Sequence, residues 1–401
     1  MEINYIEEEL KKPSIFLNES KLSPDYVPRK LLHREEQFKK LSNIFKTLIE
    51  DPGGASKKII IHGPVGTGKT AVTKRFSYML MDVAKKRGIN LKYLHVNCRI
   101  NKTCFLILKK IVRSFDKSIP KRGYSSEELI HMLKEILEKE DCILILVLDE
   151  VDFLKKRHLE ILYYLSRLMD DILNPLHRLS LILIGKTTKF LDYLDISIFS
   201  SLHNHNIYFN RYNKLELKDI IGSRAKDVFY KGVISEDTIM KISEIAEEFG
   251  DIRYALELLW KAGKEADFLN LFKILPDFIQ RYEKDTKLSL TQYKVDQLTL
   301  QQKIILKSII ESVLADSKDS LKISHLVMTY SMTCIKNQIK PYKHTKIWEN
   351  LKDLEISDFI SIKISENERM GRSSLIKFNN KIGIRELNIL LDHKIKEENN
   401  F

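Results

Sequence analysis

The sequence predicts an α/β nucleotide-binding module, with a parallel sheet and a helical lid, followed by a C-terminal winged-helix domain. Three observations predict this fold. First, a glycine-rich loop, GPVGTGKT, follows an apolar strand and precedes a helical pattern. Second, apolar strands alternate with helices, which indicates a parallel sheet covered by helices. Third, three late helical patterns precede two alternating runs at 359–364 and 374–378, which predict a β-hairpin.

The composition is that of a globular protein with more than one domain. The chain has 401 residues, of which 43% are hydrophobic and 30% are charged. No apolar run approaches membrane-spanning length, and the acidic N-terminus MEINYIEEEL does not resemble a signal peptide. The four cysteines have neither metal-ligand spacing nor a disulfide pattern. We therefore expect a cytoplasmic protein without a membrane partner.

The charge distribution indicates a polyanionic partner. The formal net charge is +12, and two stretches, 83–115 and 320–348, contain no acidic residue. Basic residues are frequent in both stretches, so that the positive charge falls in two separate blocks. For a nucleotide-binding protein, this pattern favours nucleic acid as the partner.

Each element of the first part is predicted from its own pattern. A helix beginning at Glu35 is stopped by the turn sequence that starts at Asp51, and the motif beginning at Ser125 resembles a helix cap. The remaining predictions are a strand at 59–61, a helix at 71–86, a strand at 91–97, a helix at 105–115, a helix from 126, and strands at 143–148 and 179–184.

The second part is predicted to be helical until the hairpin. Residues 215–281 show helical patterns without strands, and 285–298 are polar and weakly patterned, as in a linker. The predicted divisions are an ATP-binding base domain at 1–214, a lid at 215–284, a linker at 285–298 and a winged helix at 299–401.

The glycine loop predicts a phosphate-binding site. Its glycines allow backbone N–H groups to turn toward an anion, and the following helix contributes its dipole. Lys69 is expected to reach the β- and γ-phosphates, and the Thr70 hydroxyl to bind Mg²⁺. The predicted cofactor-binding residues of the loop are Gly63, Val65, Gly66, Thr67, Gly68, Lys69 and Thr70.

A second motif, which is acidic, completes the predicted site. The strand ILILVL ends in Asp149 and Glu150, about eighty residues after the loop. Asp149 is expected to hold Mg²⁺, and Glu150 to orient the attacking water. ATP and ADP are favoured over guanine nucleotides because nothing in the chain resembles a guanine-reading NKxD element.

Several segments together resemble a known family. They are PRKLLHREEQ, GPVGTGKT, LVLDEVD, FNRYNKLELKDIIGSRA and GDIRYALELLWKAGKEA, and they occur in that order. The chain resembles the archaeal replication initiators of the AAA+ class, which are related to origin-recognition and cell-division-control proteins. The resemblance covers nearly the whole chain. It implies a RecA-like base domain, a bound ATP that acts as a switch, and binding to double-stranded origin DNA.

The resemblance also implies roles for individual residues. Arg253 would be the lid arginine that senses the γ-phosphate and would join Lys69, Asp149 and Glu150 in the catalytic set. Tyr212 and Arg224 would border the nucleotide. A segment that includes Val27 and Arg34 would pack near the adenine.

Two departures from the family pattern bear on hydrolysis. Where initiators usually carry an asparagine that positions the water, this chain has Lys186 and Thr187. Where they carry an arginine that completes the site of a neighbouring subunit, it has Ser197. Because such an arginine contributes on the order of 10³–10⁵ in rate, we expect firm nucleotide binding with slow hydrolysis.

The predicted DNA-binding residues lie in three places. In the winged helix, the N-terminal end of the recognition helix is usually the part that meets base edges. A hairpin turn would be the wing, and the resemblance implies a further contact from an insertion in the base domain. The residues are Lys343, His344, Thr345 and Lys346 in the helix, Arg369 and Arg372 in the wing, and Lys121 and Arg122 in the insertion.

Three functional hypotheses remain open from the sequence. The first is an ATP-dependent initiator that binds origins and helps recruit the replicative helicase or regulates that step, together with a paralogous subunit. It would be associated with the nucleoid. The second is an AAA+ motor or clamp-loader subunit, against which the missing arginine argues. The third is a winged-helix transcription regulator switched by nucleotide, against which the GDIRYALELL element argues.

Overall fold

The computed structural model divides the chain into two units, Met1–Leu275 and Pro276–Phe401. The structure describes residues 6–7, 12–54, 56–120, 123–168, 178–194, 202, 205–316, 320–367, 371–379 and 383–399. Within these ranges, no helix combines the length and the hydropathy that crossing a bilayer requires.

The base of the first unit alternates strands and helices, as the sequence predicts. In chain order the elements are α1 (Glu35–Glu50), β1 (Lys58–His62), α2 (Lys69–Lys86), β2 (Leu91–Asn97), α3 (Cys104–Phe115), α4 (Ser126–Lys139), β3 (Ile143–Asp149), α5 (Glu160–Arg167), β4 (Leu179–Gly185) and β5 (Asn206–Tyr208). The described strands form one parallel sheet in the order β2-β3-β4-β1-β5. The predicted α/β fold class is confirmed.

The register of the sheet brings the functional strand ends together. Every residue of β3 and of β4 is buried, which explains why these strands are apolar on both faces. Asn97 of β2 pairs with Asp149 of β3, and His62 of β1 pairs with Gly185 of β4. The carboxyl ends of four neighbouring strands therefore lie at one edge, beside the glycine loop that follows β1.

Three helices follow the base within the first unit: α6 (Lys214–Val228), α7 (Glu236–Phe249) and α8 (Ile252–Phe268). A capping box formed by Asn213 and Glu216 begins α6, and the Asp251 side chain caps α8. The N-terminal segment packs on these helices. The rings of Phe16 and Phe229 lie 4.9 Å apart, and Glu19 accepts a hydrogen bond from Trp260 at 2.8 Å.

The second unit contains the predicted winged helix. Its elements are α9 (Pro276–Asp296), α10 (Leu300–Asp316), β6 (Ser320–Lys322), α11 (Ile323–Lys336), α12 (His344–Ile356), β7 (Ile360–Asn367), β8 (Gly371–Phe378) and α13 (Ile384–Asn399). Strands β7 and β8 form the predicted antiparallel hairpin, and β6 pairs with β8. Buried residues of α10, α11, α12 and the hairpin share one hydrophobic core.

The polar stretch at 285–298, predicted as a linker, is helical over most of its length. Helix α9 continues through it to Asp296. Weak patterning led to the prediction of a linker, but several residues of this stretch are nevertheless buried, including Thr291 and Val295. The domain boundaries given above stay predictions.

Candidate functional site

The glycine loop connects β1 to α2 in a conformation that favours glycine. Gly66 and Gly68 have φ angles of +76° and +87°, in the left-handed region. A Cβ atom on Gly68 would lie 2.9 Å from the Tyr212 hydroxyl, and one on Gly66 would overlap Asp251. Asp251 and Tyr212 therefore approach the loop so closely that a side chain in place of either glycine would clash with them.

The Lys69 ammonium lies inside the loop. Its Nζ donates hydrogen bonds to the carbonyl oxygens of Gly63, at 2.7 Å, and Pro64, at 2.6 Å. Burial lowers its pKa to about 8, while the nearby carboxylates of Asp149 and Asp152 act in the opposite direction. A partly desolvated cation that donates hydrogen bonds to two neutral carbonyls is suited to receive an anion such as a phosphate.

This low pKa predicts a pH dependence of stability. Because the folded pKa of about 8 lies below the ordinary value of 10.5, the unfolded chain binds more protons between these values, and the folded state gains stability as pH rises. Below about pH 8 the buried ammonium is charged, so the full cost of its desolvation destabilises the folded state. Lys69→Met should therefore be more stable than the nucleotide-free wild type at pH 7. We expect that advantage to shrink by about 2 kcal/mol by pH 10 in denaturant titrations. If the free energies of unfolding of the two proteins differed by the same amount at every pH, the low pKa of Lys69 would be contradicted.

A hydroxyl and a carboxylate form a pair suited to a hard cation. The Thr70 Oγ1 donates to Asp149 Oδ2 at 2.7 Å, and Asp149 is only 4% exposed. Oxygen ligands of this kind are those that Mg²⁺ prefers. The two residues predicted to hold Mg²⁺ thus lie together at the loop, and their chemistry fits that ion.

Glu150 adopts a conformation that is unusual for a side chain other than glycine. Its φ angle is +57°, and its backbone N–H donates to Asp149 Oδ1 at 2.9 Å. The Asn97 amide, at the end of β2, donates to Glu150 Oε2 at 3.0 Å. The carboxylate predicted to orient water is therefore held by a neighbouring strand.

Asp152 organises the end of β4, where the sequence departs from the initiator pattern. It accepts hydrogen bonds from the backbone N–H of Lys186 and from the Thr187 hydroxyl, the latter at 3.3 Å. Burial raises the pKa of Asp152. The turn that carries Lys186 and Thr187 is thus fixed by the segment that follows β3.

The lid residue Arg253 lies near the loop and is paired with Asp251, the N-cap residue of its own helix. Its Nη2 donates to Asp251 Oδ2 at 2.6 Å, and its Nε donates to Asp251 Oδ1 at 3.0 Å. Asp251 is the residue that a side chain at Gly66 would meet. The predicted γ-phosphate sensor is therefore positioned at the phosphate loop by an acidic neighbour.

Arg34 links the predicted adenine segment to the loop. Its Nε donates to the Thr67 carbonyl at 2.9 Å, and its Nη2 donates to the Asn210 carbonyl at 2.9 Å. Its guanidinium lies 3.6 Å from the centroid of the Tyr212 ring, a cation–π contact. Burial lowers its pKa. Arg34 and Tyr212 thus contact each other and support the loop at Thr67 and Gly68.

Arg224 contacts the predicted adenine segment at the end opposite to Arg34. Its guanidinium is 4.9 Å from the centroid of the Tyr26 ring, and it donates to the Lys21 carbonyl. Val27, the next residue of the segment, is half-buried. The structure brings Arg224 to this segment, and its contact with a nucleotide stays a prediction.

The predicted DNA-binding residues of the recognition helix form an exposed turn. Lys343 is the N-cap of α12, and His344, Thr345 and Lys346 follow in its first turn, all exposed. The buried Tyr330 fixes the start of this turn because its hydroxyl accepts a hydrogen bond from the Tyr342 N–H at 2.9 Å.

The other predicted contacts lie partly or wholly outside the described residues. Lys121, Arg122 and Arg369 are not among them, and neither is Ser197, which replaces the expected arginine. For Arg372 the structure gives the backbone, which pairs with Glu366 in the hairpin.

The sequence did not identify the residues that hold the predicted site residues in place by hydrogen bonds. His95 and Asn97 contact the two acidic residues at the end of β3, and Asp152 contacts the turn after β4. One signal was present in β2, where polar His95 and Asn97 alternate with apolar residues near the carboxyl end of the strand.

Comparison with known families assigns three consecutive parts of the chain. Residues 55–194 match the AAA domain, residues 218–283 match the Cdc6 AAA+ ATPase-type lid domain, and residues 294–384 match the CDC6 C-terminal winged-helix domain. Over 401 aligned residues, the chain is 31% identical to the ORC1-type DNA replication protein 2 of Sulfurisphaera tokodaii, covering 98% of this chain and 96% of that protein.

The chain belongs to the ORC1-type DNA replication protein family. Its AAA module is a nucleotide-binding module of the kind predicted from the glycine loop. Another relative is the ORC1-type DNA replication protein of Pyrococcus abyssi, which is 31% identical, with 92% of this chain and 88% of that protein covered.

The fold agrees with a solved structure of similar extent. The Aeropyrum pernix ORC1 protein, solved in complex with DNA, superposes with a TM-score of 0.75 at 24% identity, covering 97% of this ORC1-type chain and 100% of that one. The three family matches confirm the predicted order of AAA module, lid and winged helix, and this likeness agrees with the fold.

Proposed function

We propose that this ORC1-type protein is a replication initiator that binds ATP with Mg²⁺ and binds double-stranded origin DNA through its winged helix. The observation that carries the proposal is the exposed first turn of α12, which presents Lys343, His344, Thr345 and Lys346. Residues 320–348 contain no acidic side chain that would repel phosphates. The A. pernix relative was solved with DNA, which supports the same partner here.

The geometry of the loop supports a separate role for each residue of the nucleotide site when ATP is bound. Lys69 would exchange its two carbonyl partners for phosphate oxygens, and Thr70 and Asp149 would hold Mg²⁺, which would neutralise charge on the phosphates. Arg253 would contact the γ-phosphate from the lid. Because Asp251 holds Arg253, nucleotide binding would have to compete with that ion pair.

Hydrolysis by the isolated subunit should be slow for two reasons. The sequence has Ser197 where an arginine would complete the site of a neighbouring subunit, so a second copy of this chain would supply no such arginine. In addition, the Asn97 amide holds one Glu150 oxygen, so a water molecule would bind this carboxylate at its remaining acceptor positions. Both features favour a nucleotide-controlled switch over a motor that depends on rapid turnover.

Slow turnover is a prediction with a direct test. We expect the purified chain to hydrolyse ATP under multiple-turnover conditions well below about 1 s⁻¹, the low end for typical enzymes. Glu150→Gln should lower the residual rate further and leave ATP affinity within about twofold, because the carboxylate acts on water rather than on binding. A wild-type rate of 1 s⁻¹ or faster would favour the motor hypothesis.

The partners beyond DNA follow from the same proposal. A missing arginine suggests that a paralogous initiator on adjacent DNA supplies it, and an initiator at a chromosomal origin would help recruit the replicative helicase or regulate that step. The protein would then work at the nucleoid. Lys121, Arg122, Arg369 and Arg372 are proposed as further DNA contacts.

Footprinting tests the proposed function. On a mapped replication origin, with ATP and Mg²⁺ present, the protein should protect a discrete segment at concentrations that leave random duplex of equal length unprotected. Protection at a promoter but not at the origin would favour the transcription-regulator hypothesis. Equal, unlocalised protection of both duplexes would contradict origin recognition.

A further inference from the structure

A histidine behind the acidic strand end is engaged by two neighbours. His95 lies in β2, and its Nε2 is 3.0 Å from Asp149 Oδ2. Its Nδ1 is 2.8 Å from the Tyr93 hydroxyl. The side chains of His95 and Asp149 are only 16% and 6% exposed, so little water competes for these hydrogen bonds.

The hydrogen bonds define the tautomer of the ring. An ionised carboxylate can only accept, so Nε2 must carry the proton that is donated to Asp149. In the neutral ring Nδ1 is then the acceptor, and the Tyr93 hydroxyl donates to it. Burial raises the pKa of Tyr93, which keeps that hydroxyl protonated. Tyr93 also packs against Tyr78 of α2, with ring centroids 5.9 Å apart, which restrains its own position.

One carboxylate oxygen accepts hydrogen bonds from both His95 and Thr70, the threonine predicted to bind the metal ion. Asp149 Oδ2 accepts from Thr70 Oγ1 at 2.7 Å and from His95 Nε2 at 3.0 Å, while Oδ1 accepts from the Glu150 N–H at 2.9 Å. If the Thr70 oxygen held Mg²⁺, its proton could still be donated to Asp149. The hydrogen bond from His95 would restrain the same carboxylate oxygen from the side of β2.

We propose that His95 is a positioning residue that holds the Asp149 carboxylate in the orientation needed for Mg²⁺, with Tyr93 fixing the imidazole tautomer. This inference rests on the proposed function, since it assigns a role toward the metal ion that accompanies the nucleotide. Groups that orient metal ligands in this way commonly change metal affinity by about 10- to 100-fold when removed.

The test compares nucleotide affinity with and without Mg²⁺. Equilibrium titrations with ATP would be made in excess Mg²⁺ and in EDTA for the wild type, His95→Leu, His95→Gln and Tyr93→Phe. We expect His95→Leu to reduce the Mg²⁺-dependent gain in affinity by about tenfold and to leave the affinity in EDTA unchanged. His95→Gln should restore most of the gain because its amide can donate to Asp149. Tyr93→Phe should show an intermediate loss.

Controls separate this role from a structural one. His131→Leu alters an exposed histidine that pairs with Glu135 on the surface of α4, and it should behave as the wild type in both conditions. Equal losses in Mg²⁺ and in EDTA for His95→Leu, or no rescue by His95→Gln, would overturn the positioning role. An unchanged Mg²⁺-dependent gain in His95→Leu would also overturn it while leaving the proposed function intact. A wild-type chain that binds no ATP would overturn the proposed function itself.

Discussion

Replacing Lys69 with alanine is expected to lower ATP affinity by about 100-fold or more. The ammonium is partly desolvated within the loop, and its present partners are two neutral carbonyls. Hydrogen bonds to charged groups contribute about 1.5–3 kcal/mol each, so losing two contacts to phosphate oxygens corresponds to at least two orders of magnitude in affinity. Isothermal titration with ATP and Mg²⁺ measures the loss.

A matched variant controls for general effects on the helix. Lys85→Ala removes the same side chain from the exposed far end of α2, and it should bind ATP as the wild type does. Lys69→Ala should also remain folded, since it removes a buried charge rather than an apolar contact. Retention of wild-type ATP affinity by Lys69→Ala would show that the loop does not bind phosphates as proposed.

The second large effect is expected from the recognition helix. Replacing Lys343 and Lys346 together with alanine should weaken binding to origin duplex by about 10- to 100-fold at low salt and reduce the salt slope by about two, as expected for the loss of two phosphate contacts. Both side chains are exposed at the first turn of α12, where the helix dipole also favours phosphate. Fluorescence anisotropy across a salt series provides both quantities.

A control variant with the same change in net charge tests whether the position of these two lysines determines the effect. Lys284 and Lys396 are exposed elsewhere in the second unit, and their double alanine variant should keep both the affinity and the salt slope within about twofold of the wild type. Identical losses in the two double variants would indicate that net charge, rather than the recognition helix, determines binding.

Regular elements with strong local patterns were predicted well from the sequence. Helix α1 begins at Glu35 as predicted, and β3 and β4 extend only one residue beyond their predicted ends. Strands β5 and β6 were missed. Each has three residues, which is too short for a pattern, and each is defined by pairing with β1 or β8. The C-terminal helix α13 was not predicted separately from the hairpin.

The candidate site was predictable only where the chain supplies its residues contiguously. Lys69 and Thr70 belong to one motif, and their spacing identified them. Contacts made by His95 and Asn97 depend on the parallel register that places Asn97 beside Asp149, and the sequence does not encode that register locally. The same holds for Arg34, whose partner Thr67 lies 33 residues away.

The most direct test of the account is whether nucleotide binding controls the choice of DNA. The affinities for a mapped origin duplex and for a random duplex would be measured with ATP and Mg²⁺, for the wild type and for Lys69→Ala. We predict that the wild type prefers the origin by at least about tenfold, or about 1.4 kcal/mol, and that Lys69→Ala loses most of this preference. Equal affinity of the wild type for both duplexes, with or without ATP, would contradict the account.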